Sequence, residues 1–174
     1  MSCRSLAETL GPKFVAAAIE MYEMEESALG EASWMAQSAR ARSPREARQE
    51  WMFFCLFAYI QGFRASMAED QVHFSFMHEF LEVVGETVAS EKLFQSTDDF
   101  SREARERTST YLNALQRSAP ATSMRSVASM FLANAGCNPE DLALNIGAVG
   151  SFTNRALGTK RLFEDIGKNV RLVI

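Results

Sequence analysis

The sequence predicts an all-α fold: a single-domain bundle of about six or seven helices around one hydrophobic central helix at about residues 44–68. Three observations carry that prediction. Ten consecutive apolar residues, Trp51 to Ile60 (WMFFCLFAYI), leave no polar position for almost three helical turns, so the segment has to be covered on every side. Elsewhere apolar residues recur at spacings of three and four rather than two. Finally, the chain contains no strand-to-helix unit of the kind that builds α/β folds.

The elements follow in order. Residues 1–11 offer no strong pattern and are expected to form a flexible N-terminus, after which Val15, Ile19, Tyr22, Leu29 and Ala36 predict a helix from Lys13 to about Arg42. Gly30 is a position at which that helix would bend or split. The clearest start signal comes next: Ser43 as N-cap, Pro44 at the first helical position and Glu46 completing a capping box, opening a helix to about Ala68. Gly62 inside it costs about 1 kcal/mol relative to alanine, which points to a close backbone approach or a weak point. A third helix, to about Ser90, carries the stripe His73, Phe76, Phe80, Val84 and an acid ridge of Glu79, Glu82 and Glu86.

The loop Gln95–Asp99 (QSTDD) caps a fourth helix ending near Arg117, whose narrow stripe of Phe100, Ala104, Tyr111 and Leu115 implies a peripheral position. On its surface Glu103 and Arg107 have the spacing of an ion pair. Met124, Val127, Phe131 and Ala135 mark a fifth helix, stopped by Gly136. Asn138, Pro139 and Asp141 repeat the cap, proline and acid pattern before a sixth helix with Leu142, Ile146 and Val149, which Gly147 and Gly150 are expected to end or weaken. Residues 151–157 and 160–166 read as short helices, and 167–174 as an extended C-terminal tail.

Composition bounds the function. A chain of 174 residues, 47% apolar and 23% charged, is an ordinary globular domain that buries roughly 70% of its unfolded surface and needs no metal or disulfide to fold. Cys3, Cys55 and Cys137 are odd in number and widely spaced, which predicts reduced thiols in a cytoplasmic protein. The first residues lack an apolar stretch of signal-peptide length. The run 51–60 rises only about 15 Å against a hydrocarbon core of roughly 30 Å, so no membrane span is expected. Charge is uneven: residues 69–99 hold eight acids and one base, whereas residues 100–174 hold ten bases and six acids. That asymmetry suits a solvated face or an oriented partner.

Chemistry is sparse. No GxSxG, GxGxxG or GxxxxGK[ST] motif occurs, no cofactor is expected, and the reading leans away from an enzyme. Gly147–Gly150 (GAVG) matches a KH-type GxxG loop in letters only. His73 and His78, the only histidines, stand near Asp70, Glu79 and Glu82; His78 with Glu82, and Asp70 with His73, could each present two ligands on one helix face. A helix-bundle metal site needs further carboxylates aimed inward, and Glu20, Glu23 and Glu50 carry no signal that they are. Residues 126–157 have the layout of a helix-turn-helix, but no basic residue precedes Arg155 on its second helix, which argues against nucleic acid.

Nine of the 18 aromatic residues lie between Trp51 and Phe80, more apolar face than a thin bundle easily covers. The leading expectation is therefore a non-enzymatic protein acting by association, as a closed homodimer or with a partner protein, through the aromatic helices 44–90. Its interface would centre on Trp51, Phe54, Phe57, Phe63 and Phe74. The alternative is a bundle that binds a small hydrophobic ligand or a metal near His73 and His78. Nucleic-acid binding through the C-terminal helices is a weaker third.

Overall fold

A computed structural model describes residues 1–29, 33–66, 71–119 and 121–169, which form seven helices and no strands. They are α1 (Cys3–Leu29), α2 (Trp34–Ala41), α3 (Pro44–Ser66), α4 (Gln71–Ser90), α5 (Thr97–Arg117), α6 (Ser123–Asn134) and α7 (Leu142–Asn169). One continuous cluster of buried apolar residues runs through all seven. No described helix is long and apolar enough to cross a membrane.

The capping box sets where α3 starts. Ser43 Oγ accepts from the Glu46 backbone N–H at 3.2 Å and donates to the Glu46 carboxylate at 2.7 Å. From Glu50 to Tyr59 every residue of α3 is buried, because α1, α2, α5, α6 and α7 all pack around it. Gly62 is where α7 comes closest: a Cβ there would lie 2.3 Å from the Ala156 carbonyl oxygen, so the glycine marks a close helix crossing rather than a weak point.

Several boundaries depart from the sequence reading for physical reasons. The N-terminus is helical from Cys3, since Ser2 Oγ accepts from the Ser5 N–H at 3.1 Å and Leu6, Ala7, Val15 and Ala18 continue one buried stripe through residues 3–11. The helix expected from Lys13 to Arg42 is two, α2 having its own N-cap in Ser33; Gly30 lies outside the described residues. Glycines do not stop α7, which continues through Gly147, Gly150 and Gly158 to Asn169, so the short helices expected at 151–157 and 160–166 are one helix and the extended tail expected from 167 is helical to 169; residues 170–174 lie outside the described residues. The α7 stripe Asn145, Ala148, Phe152, Thr159 and Phe163 is buried, and that packing outweighs the unfavourable propensity of exposed glycine. The expected cap also moves: Asn138 Oδ1 closes a turn on the Glu140 N–H, and Asp141 Oδ1 caps the helix through the Leu144 N–H at 3.1 Å. By contrast, α6 does end at a glycine in the left-handed region, Gly136 with φ 77°.

The acid ridge of α4 is answered within the chain. Arg4 of α1 reaches Glu79 at 3.2 Å, Glu82 at 2.9 Å and Glu86 at 3.7 Å, and pairs with its own neighbour Glu8 at 3.0 Å. Arg107, placed by spacing opposite Glu103, instead turns inward and pairs with Glu50 at 2.9 Å.

A candidate ligand groove between α1, α3 and α7

Helices α1 and α7 both lie against α3 but scarcely touch one another. They run in opposite directions: Phe14 shares Tyr59 of α3 with Phe163, Met21 meets Arg155, and Glu25 meets Ser151. Between them remains a groove of about 440 Å³ whose floor is Cys55 and Tyr59, with Leu10, Phe14 and Met21 along one wall and Thr159 and Leu162 along the other. From Leu10 to Met21 the α1 wall is about 16 Å long at 1.5 Å per residue. The volume falls within the roughly 300–1,000 Å³ typical of small-molecule sites.

Lys13, Cys55, Tyr59, Arg155 and Thr159 interrupt the apolar lining. Tyr59 is stacked on Phe80 at 4.6 Å, with Phe14 and Phe163 edge-on, and its buried hydroxyl has no hydrogen-bond partner among the described residues. Burial pushes that hydroxyl above its ordinary range. Cys55 is a buried thiol, pushed up to about 12 by burial against the opposing pull of Arg155, and so stays protonated and unreactive at neutral pH. Arg155 lies over Trp51, its guanidinium carbon 4.4 Å from the ring centroid.

The residues singled out by sequence are spread over the molecule. Trp51, Phe54, Phe57 and Phe63 are at most 1% exposed, each inside its own core; Trp51 donates its indole N–H to the Ala18 carbonyl at 2.9 Å, and Phe54 stacks on Phe131 at 4.1 Å. The surface expected at those four positions is thus covered by the chain's own α1, α2, α4, α5, α6 and α7. Only Phe74 is at the surface, 64% exposed.

His73 is buried and packs against Phe63 at 4.5 Å, whereas His78 is exposed and lines a separate cleft between α4 and α5 with Leu81, Glu82 and Arg105. The two imidazoles therefore do not share a site, and Glu82 is engaged by Arg4. Glu20 and Glu23 are exposed on α1. Asp70 lies outside the described residues, and among those described no three His, Cys, Asp or Glu side chains converge to hold a metal ion. The Gly147–Gly150 segment is helical, not a loop, which removes the likeness to a KH motif. Glu50 does point inward, but toward Tyr111, which donates to it, and Arg107.

Sequence reasoning missed the groove because its walls come from residues 10–21 and 155–162, far apart and individually unremarkable. Arg155 alone carried a signal, as the first basic residue on an otherwise uncharged helical stretch. Comparison with known proteins found no matching family, no similar curated protein and no similar solved structure.

Proposed function

We propose that this protein binds a small hydrophobic ligand in the groove between α1, α3 and α7. The observation that carries the reading is an apolar groove of about 440 Å³ that reaches the central helix at Cys55 and Tyr59. A concave, mostly apolar groove of that volume with a few polar groups in its lining suits a small hydrophobic ligand. The ligand reading thus moves from the histidines, where the sequence suggested it, to the groove over Cys55 and Tyr59.

The test uses N-phenylnaphthylamine, a neutral dye that fluoresces in apolar surroundings. Gly158 lines the groove and a Cβ there would meet nothing within 4 Å, so Gly158→Phe places a ring in the groove without a backbone clash. Saturable dye binding by the native chain that is lost in Gly158→Phe is the expected result; equal dye binding by both, or none by either, removes the proposal.

A second reading keeps association but changes its surface. Leu142, Ile146 and Leu157 are 60%, 64% and 48% exposed and share one side of α7, with Gly150 and Thr153 between them. Such a face suits a second copy of the chain related by a twofold axis. Light scattering at micromolar concentration should give a dimer that Ile146→Lys dissociates, and a monomeric native chain would end this reading.

A further inference from the structure

Arg155 is the least satisfied charge in the groove. Its side chain is only 11% exposed, yet its interactions amount to one hydrogen bond from Nη1 to the Met21 thioether at 3.0 Å and a loose ion pair from Nη2 to Glu25 at 3.7 Å. Sulfur is a weak acceptor, and 3.7 Å is beyond hydrogen-bond reach. Its Nε is sealed from solvent and has no partner among the described residues. The contact with Trp51 is to the ring's π face, which accepts no conventional hydrogen bond from the guanidinium's five donors. Buried guanidinium groups are ordinarily paired, because desolvation without a partner is costly.

The groove's surroundings sharpen the demand. Two cations line it, Arg155 at the Met21 end and Lys13 toward the Leu10 end, and no acidic side chain does. Glu25 stands just outside, its Oε1 also accepting from Ser151 Oγ at 3.2 Å. That carboxylate shares Arg155 with any anion that arrives, so a head carrying one charge suffers less repulsion than a head carrying two. A guanidinium fork matches the planar geometry of a carboxylate, and the remaining wall is apolar.

We infer that the ligand of this groove is a single-tailed carboxylate, its head on Arg155 and its hydrocarbon tail along Phe14, Tyr59 and Leu162. This rests on the groove reading above and goes beyond it by fixing the ligand's charge and shape. The tail lies over the Cys55 and Tyr59 floor, and the guanidinium gains the in-plane acceptor that Met21 and Glu25 do not supply.

The experiment titrates the full chain with decanoate, decanol and decyl phosphate, three molecules with one tail and different heads. Trp51 lies directly beneath Arg155, so its fluorescence reports occupancy. Decanoate is expected to bind about tenfold or more tighter than decanol, the size of a charge-assisted hydrogen bond, and tighter than the mostly dianionic decyl phosphate. Arg155→Met should remove the preference for decanoate over decanol; Glu25→Gln, which keeps the arginine, should tighten decanoate and decyl phosphate but not decanol, and serves if Arg155→Met does not fold. Equal affinity for decanoate and decanol, or a preference for decyl phosphate, overturns the carboxylate assignment while the dye result still stands for the groove. Failure of all three ligands together with the dye removes both.

Discussion

The two flanks of α3 are equally apolar and differently covered. On one flank Phe53, Phe54 and Phe57 are enclosed by α5, α6 and α7, in an aromatic cluster with Phe100, Tyr111, Phe131 and Phe152. On the other, Cys55 and Tyr59 lie beneath two helices that part above them. Density of aromatic residues therefore marks where this protein is sealed. A candidate site arises where covering helices diverge, and apolar content alone does not distinguish the two situations.

The strongest way to break the comparison is to open the sealed flank. Phe54→Ala removes a fully buried ring stacked on Phe131 and packed near Phe152, and should cost about 3–5 kcal/mol, read from chemical denaturation. If a groove were all that a ligand needs, this cavity would also bind the apolar dye; an enclosed void that gains stability without dye fluorescence on adding benzene would separate the two. Next in size is Gly62→Ala. Its new methyl would meet backbone, the Ala156 carbonyl, so α3 and α7 must separate at a cost of about 1–3 kcal/mol. Because α7 is also a wall of the groove, dye affinity should change along with stability, whereas Phe54→Ala should leave it intact.

A smaller effect tests the polar knot on the sealed flank. Tyr111 is fully buried and donates to the Glu50 carboxylate, which also faces Arg107, Asn134 and Arg42. Tyr111→Phe should cost about 1–3 kcal/mol by leaving a buried acceptor less satisfied. Burial pushes the Glu50 carboxyl above the ordinary range, against the opposing pull of Tyr111, Arg107, Asn134 and Arg42. A carboxyl raised in the folded state holds its proton more tightly there than in the unfolded chain. Its contribution is thus fully favourable below the unfolded value near 4.3 and is lost as pH rises through the folded one. Urea midpoints from about pH 4 to about pH 7 should show that decline in the native chain and less of it in Glu50→Gln.

What the sequence made legible was local. Ser43, Pro44 and Glu46 announced α3 because a cap is specified within four residues, and Gly62 announced a close approach because only a missing Cβ permits one. The first turns of α1 were hidden by Gly11 and Pro12, which look like a break; in the fold Gly11 lies against Val83 and Pro12 is exposed. The length of α7 was hidden likewise, since the stripe that overrides its glycines becomes visible only against α3. The candidate site was not legible, because Arg155 acquires its meaning from Trp51, Met21 and Glu25, partners more than a hundred residues away.

Those same glycines supply the finest test. At Gly147, Gly150 and Gly158 a Cβ would meet nothing within 4 Å, so alanine fits each without strain. Alanine also restricts the unfolded chain and favours helix, so each substitution should stabilise by about 0.5–1 kcal/mol. On stability alone the three are interchangeable. Only Gly158 lines the groove, and its new methyl reduces the space between α1 and α7. Gly158→Ala should therefore raise the melting temperature like its neighbours while weakening dye and decanoate binding, and Gly147→Ala and Gly150→Ala should leave binding unchanged. A uniform effect on binding across the three would mean that the open flank of α3 is no more a site than the sealed one; stabilisation shared by all and loss of affinity confined to residue 158 would tie binding to the gap between the two helices.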